Sequence, residues 1–380
     1  MHGRGVNVHA CTYPRPLVSS TLAAMRRLVV GIVCGAAGAC SDSAGPRLDQ
    51  DIVVPAPELV NVAYEALDGS PVSFVRVSQS GSNSLQYRYM LDAARGQEFG
   101  YRWSPAASYR ASHVSPNGQL VAFEHFTRRI MVSALDGSGV QPASPAGASG
   151  FGSPYWMPNG QAIVMTGFAN DPQGGTLYDV YQGRTEAPEL PTLLVEFPRQ
   201  TTGDSTCYSI ISDEPRVAVS ASGAMAMVCP LRNVLSDFAL FVAPAAPPRA
   251  PRLVYRLPTR VSNGPYVVGL AWSPDGQELA VLEQLANSSN HRVSVVDVDA
   301  GTSRALATLA STAPIGSPSL SGASICWSAG GGRIVFTAPT QANEWRVHSI
   351  RPDGAGLVRV TNGTASDADT QASCPLQPGM

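Results

Sequence analysis

Four histidines, four cysteines and three similarly placed tryptophans lie downstream of residue 40, and any chemistry must draw on them. The histidines are His113, His125, His291 and His348. Imidazole exchanges a proton near neutrality and is a common zinc ligand. His113 precedes, and His125 follows, a turn centred on Gly118, and His113 is a candidate to face a central channel. With Gly118 at the tip the two are not directly opposed, so satisfied or solvent-facing rings are expected and no metal is assigned. The stretch DVDAG, Asp297–Gly301, has the start of a calcium loop but lacks the later glutamate of an EF-hand. ALDG and RPDG hold the same place in other repeats, so a plain turn is expected. Trp156, Trp272 and Trp327 stand at equivalent places before their turns. They are candidates for an aromatic floor facing a channel, beneath a sugar or peptide. Their recurrence with the fold favours the alternative, filling gaps between repeats.

Other chemistries are missing at the level of residue type. The chain has no lysine, and all 26 basic residues are arginine. Schiff-base lysines, a phosphate-cradling P-loop lysine and an S-x-x-K nucleophile are therefore excluded. There is no G-x-S-x-G elbow, no H-E-x-x-H and no paired C-x-x-C. A formal net charge of −2 leaves no broad basic field for nucleic acid. No cofactor and no catalytic residue are assigned.

The elements that carry these residues follow from composition and repetition. Only 14% of residues are charged, against 36 glycines and 31 prolines. Such a chain turns often and buries much of its length, which favours short strands. Related turns recur at Gly69, Gly118, Gly160, Gly223, Gly276 and Gly331. The third residue after each is Val72, Val121, Ile163, Ala226, Leu279 or Ile334, and the fifth is Phe74, Phe123, Met165, Val228, Val281 or Phe336. The residue between them is never charged. A strand dry on both faces belongs inside stacked sheets. A second strand and often a short third follow each unit, which with the segment before the turn makes four antiparallel strands. Tandem four-stranded units that cannot cover their own faces predict an all-β, six-bladed β-propeller of four-stranded antiparallel blades over residues 58–380. An open β-solenoid is the structural alternative. Two segments compete to close the ring beside the first blade: Gln371–Pro375, just ahead of Gly379, and Leu59–Ala66.

WSPDGQELAV (Trp272–Val281), VSPNGQLVAF (Val114–Phe123) and RPDGAGLVRVT (Arg351–Thr361) resemble the WD40-like repeat of the TolB family. The resemblance covers residues 58–380, strongly in three units and faintly elsewhere. It implies a six-bladed propeller in the periplasm or on the cell surface, used for binding. The α/β domain that precedes the propeller in that family's namesake has no room between Cys40 and residue 58, so its role in an envelope-spanning complex is not implied.

The N-terminal segment reads as an address. Met25–Cys40, MRRLVVGIVCGAAGAC, has a basic front, an apolar run too short for a stable membrane span, and small residues leading to a cysteine. Ala37–Cys40 resembles a bacterial lipobox, with alanine where leucine is commonest. It implies a signal peptide over 1–39 with its true start at Met25, lipidation of Cys40, and a tether over 40–57. An ordinary secretory signal is the alternative. Ser41 leans toward the outer membrane over the periplasmic face of the inner one. Outside the cytosol disulfides persist, and Cys207 with Cys229 and Cys326 with Cys374 are the expected pairs of the three pairings open to four cysteines. The expected function is a non-catalytic, lipid-anchored envelope propeller that binds a protein, peptide or glycan through its loops or channel mouth. The long insertion Glu186–Arg216 is the expected specificity element. The alternatives are a polysaccharide-active lyase or hydrolase and a structural subunit of an envelope complex.

Overall fold

A computed structural model describes residues 52–53 and 64–375, except 81–82, 94–96, 103–108, 126, 146–149, 171–175, 197–216, 232–233, 258–265, 286–287, 313–323, 342–343 and 364–366. The signal segment, Cys40 and Cys207 lie outside these residues. All six repeat glycines adopt positive φ, from 68° at Gly69 and Gly160 to 89° at Gly223. That left-handed backbone excludes most side chains and explains why glycine recurs there. In five of the turns the glycine N–H donates to the carbonyl three residues earlier, as Gly276 does to Ser273 at 2.9 Å. In four of the turns a serine stands three residues before the glycine and has a second task. Ser273 Oγ accepts the Glu278 N–H at 2.9 Å, and Ser115, Ser220 and Ser328 do the same for Leu120, Ala224 and Arg333.

Six antiparallel sheets follow. The first contains β1 (Ile52–Val53), β2 (Pro71–Ser80), β3 (Asn83–Asp92) and β4 (Gln97–Arg102). The second contains β5 (Tyr109–Val114), β6 (Leu120–His125), β7 (Arg129–Ala134) and β8 (Gln141–Pro142). The third contains β9 (Phe151–Trp156), β10 (Ile163–Asn170), β11 (Thr176–Gly183) and β12 (Thr192–Val195). The fourth contains β13 (Val217–Val219), β14 (Met225–Leu231), β15 (Val234–Ala243) and β16 (Arg252–Arg256). The fifth contains β17 (Tyr266–Trp272), β18 (Glu278–Gln284), β19 (His291–Asp297) and β20 (Thr302–Leu309). The sixth contains β21 (Ile325–Trp327), β22 (Ile334–Gln341), β23 (Glu344–Ile350) and β24 (Val358–Arg359). The last strand, β25 (Asp367–Ser373), returns to the first sheet and pairs with β2.

The first strands of successive blades, β5, β9, β13, β17 and β21, contact one another in order, and β25 joins β21 to β5. This cyclic contact closes six blades into a propeller. It also decides the contest at the closure. Asp367–Ser373 takes the inner place of blade 1, while Tyr64–Leu67 forms a 3-10 turn. Ala66 and Leu67 of that turn are buried with Val335 and Val347 of blade 6, and Ser349 Oγ donates to the Ala66 carbonyl at 2.5 Å. At the outer edge, Ile52–Val53 departs from the expected tether. It pairs with Tyr101 and Gly100 of β4, giving blade 1 a fifth strand.

The eighteen residues at the third to fifth places after the glycines are each 0 or 1% exposed. One blade nevertheless departs from the common register. Ser220 N–H bonds to Ala224 O, whereas Ser273 N–H bonds to Glu278 O, so the blade 4 turn is a residue shorter. A one-residue slip exchanges the two faces of a strand. Ala226 and Val228 therefore face blade 5, while Met225 and Met227 pack with Val164 of blade 3. Burial of both faces hides this exchange from the sequence. No helix among the described residues is long and apolar enough to cross a membrane.

Candidate functional site

Three places between blades gather polar groups, buried at the first two and exposed at the third. The first is beside the inner strands of blades 1 to 3. Arg88 of β3 is fully buried, and its guanidinium donates to Ser73 Oγ at 3.1 Å and to Ser112 Oγ. Ser112 in turn donates to Gln371 Oε1 on the closing strand, at a residue held at φ 54°. Next to Ser112, His113 stacks on Tyr155 with ring centroids 4.3 Å apart. Burial, helped by the Arg88 charge, lowers the His113 pKa to about 4, and burial raises the Tyr155 pKa to about 12. Both rings are thus neutral at neutral pH, which suits a packed pair.

The second place joins blades 6 and 1. Arg76 and Asp369 form a buried two-point ion pair, with Nε–Oδ1 2.6 Å and Nη2–Oδ2 2.9 Å. Arg76 also donates to the Asn362 carbonyl at 2.6 Å. Arg346 pairs with Glu344 at 3.1 Å, and Arg359 reaches the same carboxylate at 3.4 Å. Burial lowers the Arg346 pKa from its ordinary value, against the opposing pull of Asp369 and Glu344. The Arg76 bonds fasten the closing strand to blade 1 and to the end of blade 6, while the Glu344 pairs lie within blade 6. Their geometry is that of a structural clamp, since each charge has a hydrogen-bonded counterpart.

The third place is open. A cavity of about 660 Å³ lies between blades 2 and 3 on the side of the glycine turns. Val132, Trp156 and Ile163 form its apolar floor, and Gln141, Gln161, Arg184 and Glu186 form polar walls. Its position follows from one residue. Gly183 ends β11 opposite Ile163, and the Ala143 carbonyl oxygen lies 2.2 Å from where its Cβ would be. The blade 2 backbone can approach only because no side chain is there. The chain then loops out through Arg184–Pro191, and Arg129 of blade 2 holds that loop by an ion pair to Glu189 at 3.1 Å. Apolar side chains of the same two blades are exposed, Leu120 among those that line the cavity. Leu120 and Val140 of blade 2 are 36% and 47% exposed, and Leu190 and Leu193 of blade 3 are 79% and 43% exposed. A second cavity of about 100 Å³ lies between blades 4 and 5, beside the Glu283–Arg292 pair.

The structure places the candidate residues as follows. The three tryptophans lie between blades, each buried, and each indole N–H donates to the preceding blade's inner strand. Trp156 bonds to His113 O at 3.0 Å, Trp272 to Ala218 O at 3.1 Å and Trp327 to Ala271 O at 3.1 Å. They are gap fillers and staples, not an aromatic floor in a channel, though Trp156 also borders the cavity. His113 is half-buried beside Arg88, and His125 bonds locally to Thr127. His291 stacks edge-on against Trp345, and His348 lies flat on Phe336. Burial lowers both of these pKa values to about 4. Among the described residues no group of three or more His, Cys, Asp or Glu side chains is gathered to hold a metal. Cys326 and Cys374 are joined by a disulfide with Cα atoms 5.7 Å apart. Cys229 is also disulfide-bonded, while Cys207 lies outside the described residues. Of the insertion 186–216, only residues 186–196 are described. Sequence reasoning missed Arg76, Arg88, Arg346 and Asp369. The one available signal was Arg76 within the largely apolar run VSFVRV, while Asp369 stands in the polar strand DADTQAS, where a carboxylate draws no notice.

No known family profile and no curated protein matches the chain. Solved structures do match. TolB from Acinetobacter baumannii aligns with a TM-score of 0.57 at 14% identity, over 81% of this chain and 67% of that one. A chain of the nidogen/laminin complex aligns with a TM-score of 0.51 at 10% identity, over 80% of this chain and 98% of that one. At such identities the likeness is one of fold. The chain is a six-bladed β-propeller whose structural neighbours include TolB, at an identity too low for TolB itself.

Proposed function

We propose that this protein is a non-catalytic binding propeller of the cell envelope, lipid-anchored at Cys40, whose ligand seats in the cavity between blades 2 and 3. The observation that carries the reading is that the two blades flanking the cavity also carry most of the exposed apolar side chains. Of the five large apolar side chains exposed among the described residues, Leu120, Val140, Leu190 and Leu193 belong to these two blades. Exposed apolar side chains gathered beside a concave, partly polar surface are typical of recognition sites. The two amides, the arginine and the glutamate of the walls supply directional hydrogen bonds for a peptide or glycan. The TolB-like repeat and the lipobox-like run before Cys40 support an envelope location. The test is affinity capture of the mature protein from envelope extracts, with glycan-array binding alongside. A ligand held by the wild type and lost with Gln141→Ala combined with Arg184→Ala is expected. A ligand held equally by both proteins would place recognition elsewhere. Palmitate labelling that survives Cys40→Ser would remove the anchor from the reading.

A further inference from the structure

Propeller blades end in outer strands, and an uncovered strand edge invites another chain to pair with it. Five of the six outer edges here are guarded. β4 is covered by β1. β8 is two residues long and ends in Pro142, which has no N–H. β16 carries Arg252 and Arg256 at its ends, β20 carries Arg304, and β24 carries Arg359. β12 differs. Thr192-Leu193-Leu194-Val195 holds no charge and no proline, and Pro191 and Glu196 lie outside its paired residues. Among the described residues nothing pairs with its outer edge. Leu194 and Val195 pack into the core between blades 3 and 4. A bulge at Leu194 breaks the alternation, and Leu193 is paired with Tyr181, which packs against the core between blades 2 and 3, so Leu193 lies on the blade 2 side, where it stays 43% exposed.

The molecule shows what covers such an edge. On blade 1 the occupant is an extended apolar pair, Ile52–Val53, added antiparallel to β4. The geometry points to β12 as an acceptor edge: an extended segment of a partner polypeptide adds to it as a fifth strand, with apolar side chains at alternate positions on the face that meets Leu193 and with Leu190 just ahead of the strand. This deepens the binding-propeller reading and rests on it. A backbone edge recognises another backbone, because its N–H and C=O groups repeat at the spacing of a polypeptide and not of a glycan. A second copy of this chain is a poorer occupant. Paired β12 to β12, a second copy brings only four residues to the edge, whereas an extended segment of a partner can run past both ends of the strand.

A phage library of random seven-residue peptides, panned on the full mature protein, supplies the probe. Peptides with apolar residues at alternate positions are expected to be enriched. Their affinity should fall at least tenfold in Leu193→Arg, which installs the guard that other edges carry, and change less than twofold in Leu357→Arg on blade 6. Leu190→Arg, at a residue 79% exposed, provides a second variant that does not disturb packing. Hydrogen exchange should slow at residues 192–196 on peptide binding. Enriched peptides that bind Leu193→Arg as tightly, or that protect other strands, would overturn the proposal. So would a wild-type dimer that Leu193→Arg dissociates, since the occupant would then be a second copy. A glycan-array ligand lost in the Gln141/Arg184 variant, with no peptide enriched, would sink the edge proposal and leave the binding reading standing.

Discussion

The seam between blades 2 and 3 and the seam between blades 5 and 6 begin alike and end differently. Each starts with an indole that donates to the preceding blade, Trp156 to His113 and Trp327 to Ala271. Beyond the staple, the second seam is filled. Leu282, Val293 and Val295 meet Ile325, Phe336, Trp345 and Ile350 in one core. The first seam has a smaller core around Ala122, Ile130, Ile163 and Met165, and then opens into the cavity. The third-strand residue opposite the core isoleucine explains the difference. It is Ile350 opposite Ile334 in blade 6, and Gly183 opposite Ile163 in blade 3. The inner half of a seam obeys the repeat because the ring needs it there. The outer half is free to vary, and the candidate site lies where the repeat lapses.

The largest effect should come from the staples. Trp327→Ala should cost about 3–5 kcal/mol in denaturant unfolding, the range for an aromatic removed from a closed core. Trp156→Ala should fall below it, because water can enter the vacated space from the adjoining cavity. Equal costs would mean that the seams do not differ where it matters. Near the filled seam, Cys326→Ser with Cys374→Ser opens a loop with a sequence separation of 48. Loop-closure entropy predicts a loss of about 4 kcal/mol, read as a lower urea midpoint.

Acid should strike through the histidines whose pKa burial lowers, His113 in blade 2 as well as His291 and His348 in blades 5 and 6. His291 and His348 have native pKa values of about 4, below the ordinary 6.5, because burial opposes charge. Above pH 6.5 neither the folded nor the unfolded chain holds the extra proton. As pH falls from 6.5 to 4 the unfolded chain takes it up first, so stability declines by up to about 3 kcal/mol per histidine. His348→Gln should flatten that decline in a series of melts across this window; an unchanged slope would refute it. At the open seam, Gly183→Ala brings a Cβ against the Ala143 carbonyl and should cost about 1–3 kcal/mol. Smallest is Arg129→Ala. Its pair with Glu189 is partly solvent-exposed, so stability should change by less than about 1 kcal/mol, while proteolysis within 184–191 should quicken.

The legible parts of the molecule are local. Gly276, Asp275 and Ser273 make their bonds within a few residues, so WSPDG announces a hairpin wherever it occurs. The shorter turn at Gly223 was illegible because Met225, Ala226, Met227 and Val228 are apolar alike, and either register buries them. Of the site, Trp156 stood out by position, while Gln141, Arg184 and Leu193 carried no pattern.

Six antiparallel units, their turns and their dry strands were determined by the sequence alone, since alternation and glycine placement act between near neighbours. Which segment closes the ring, that Arg76 meets Asp369 across 293 positions, and that one seam stays open were decided only in the assembled propeller. Those contacts join residues whose separation is set by the whole circle of blades, and no short stretch of chain encodes that distance.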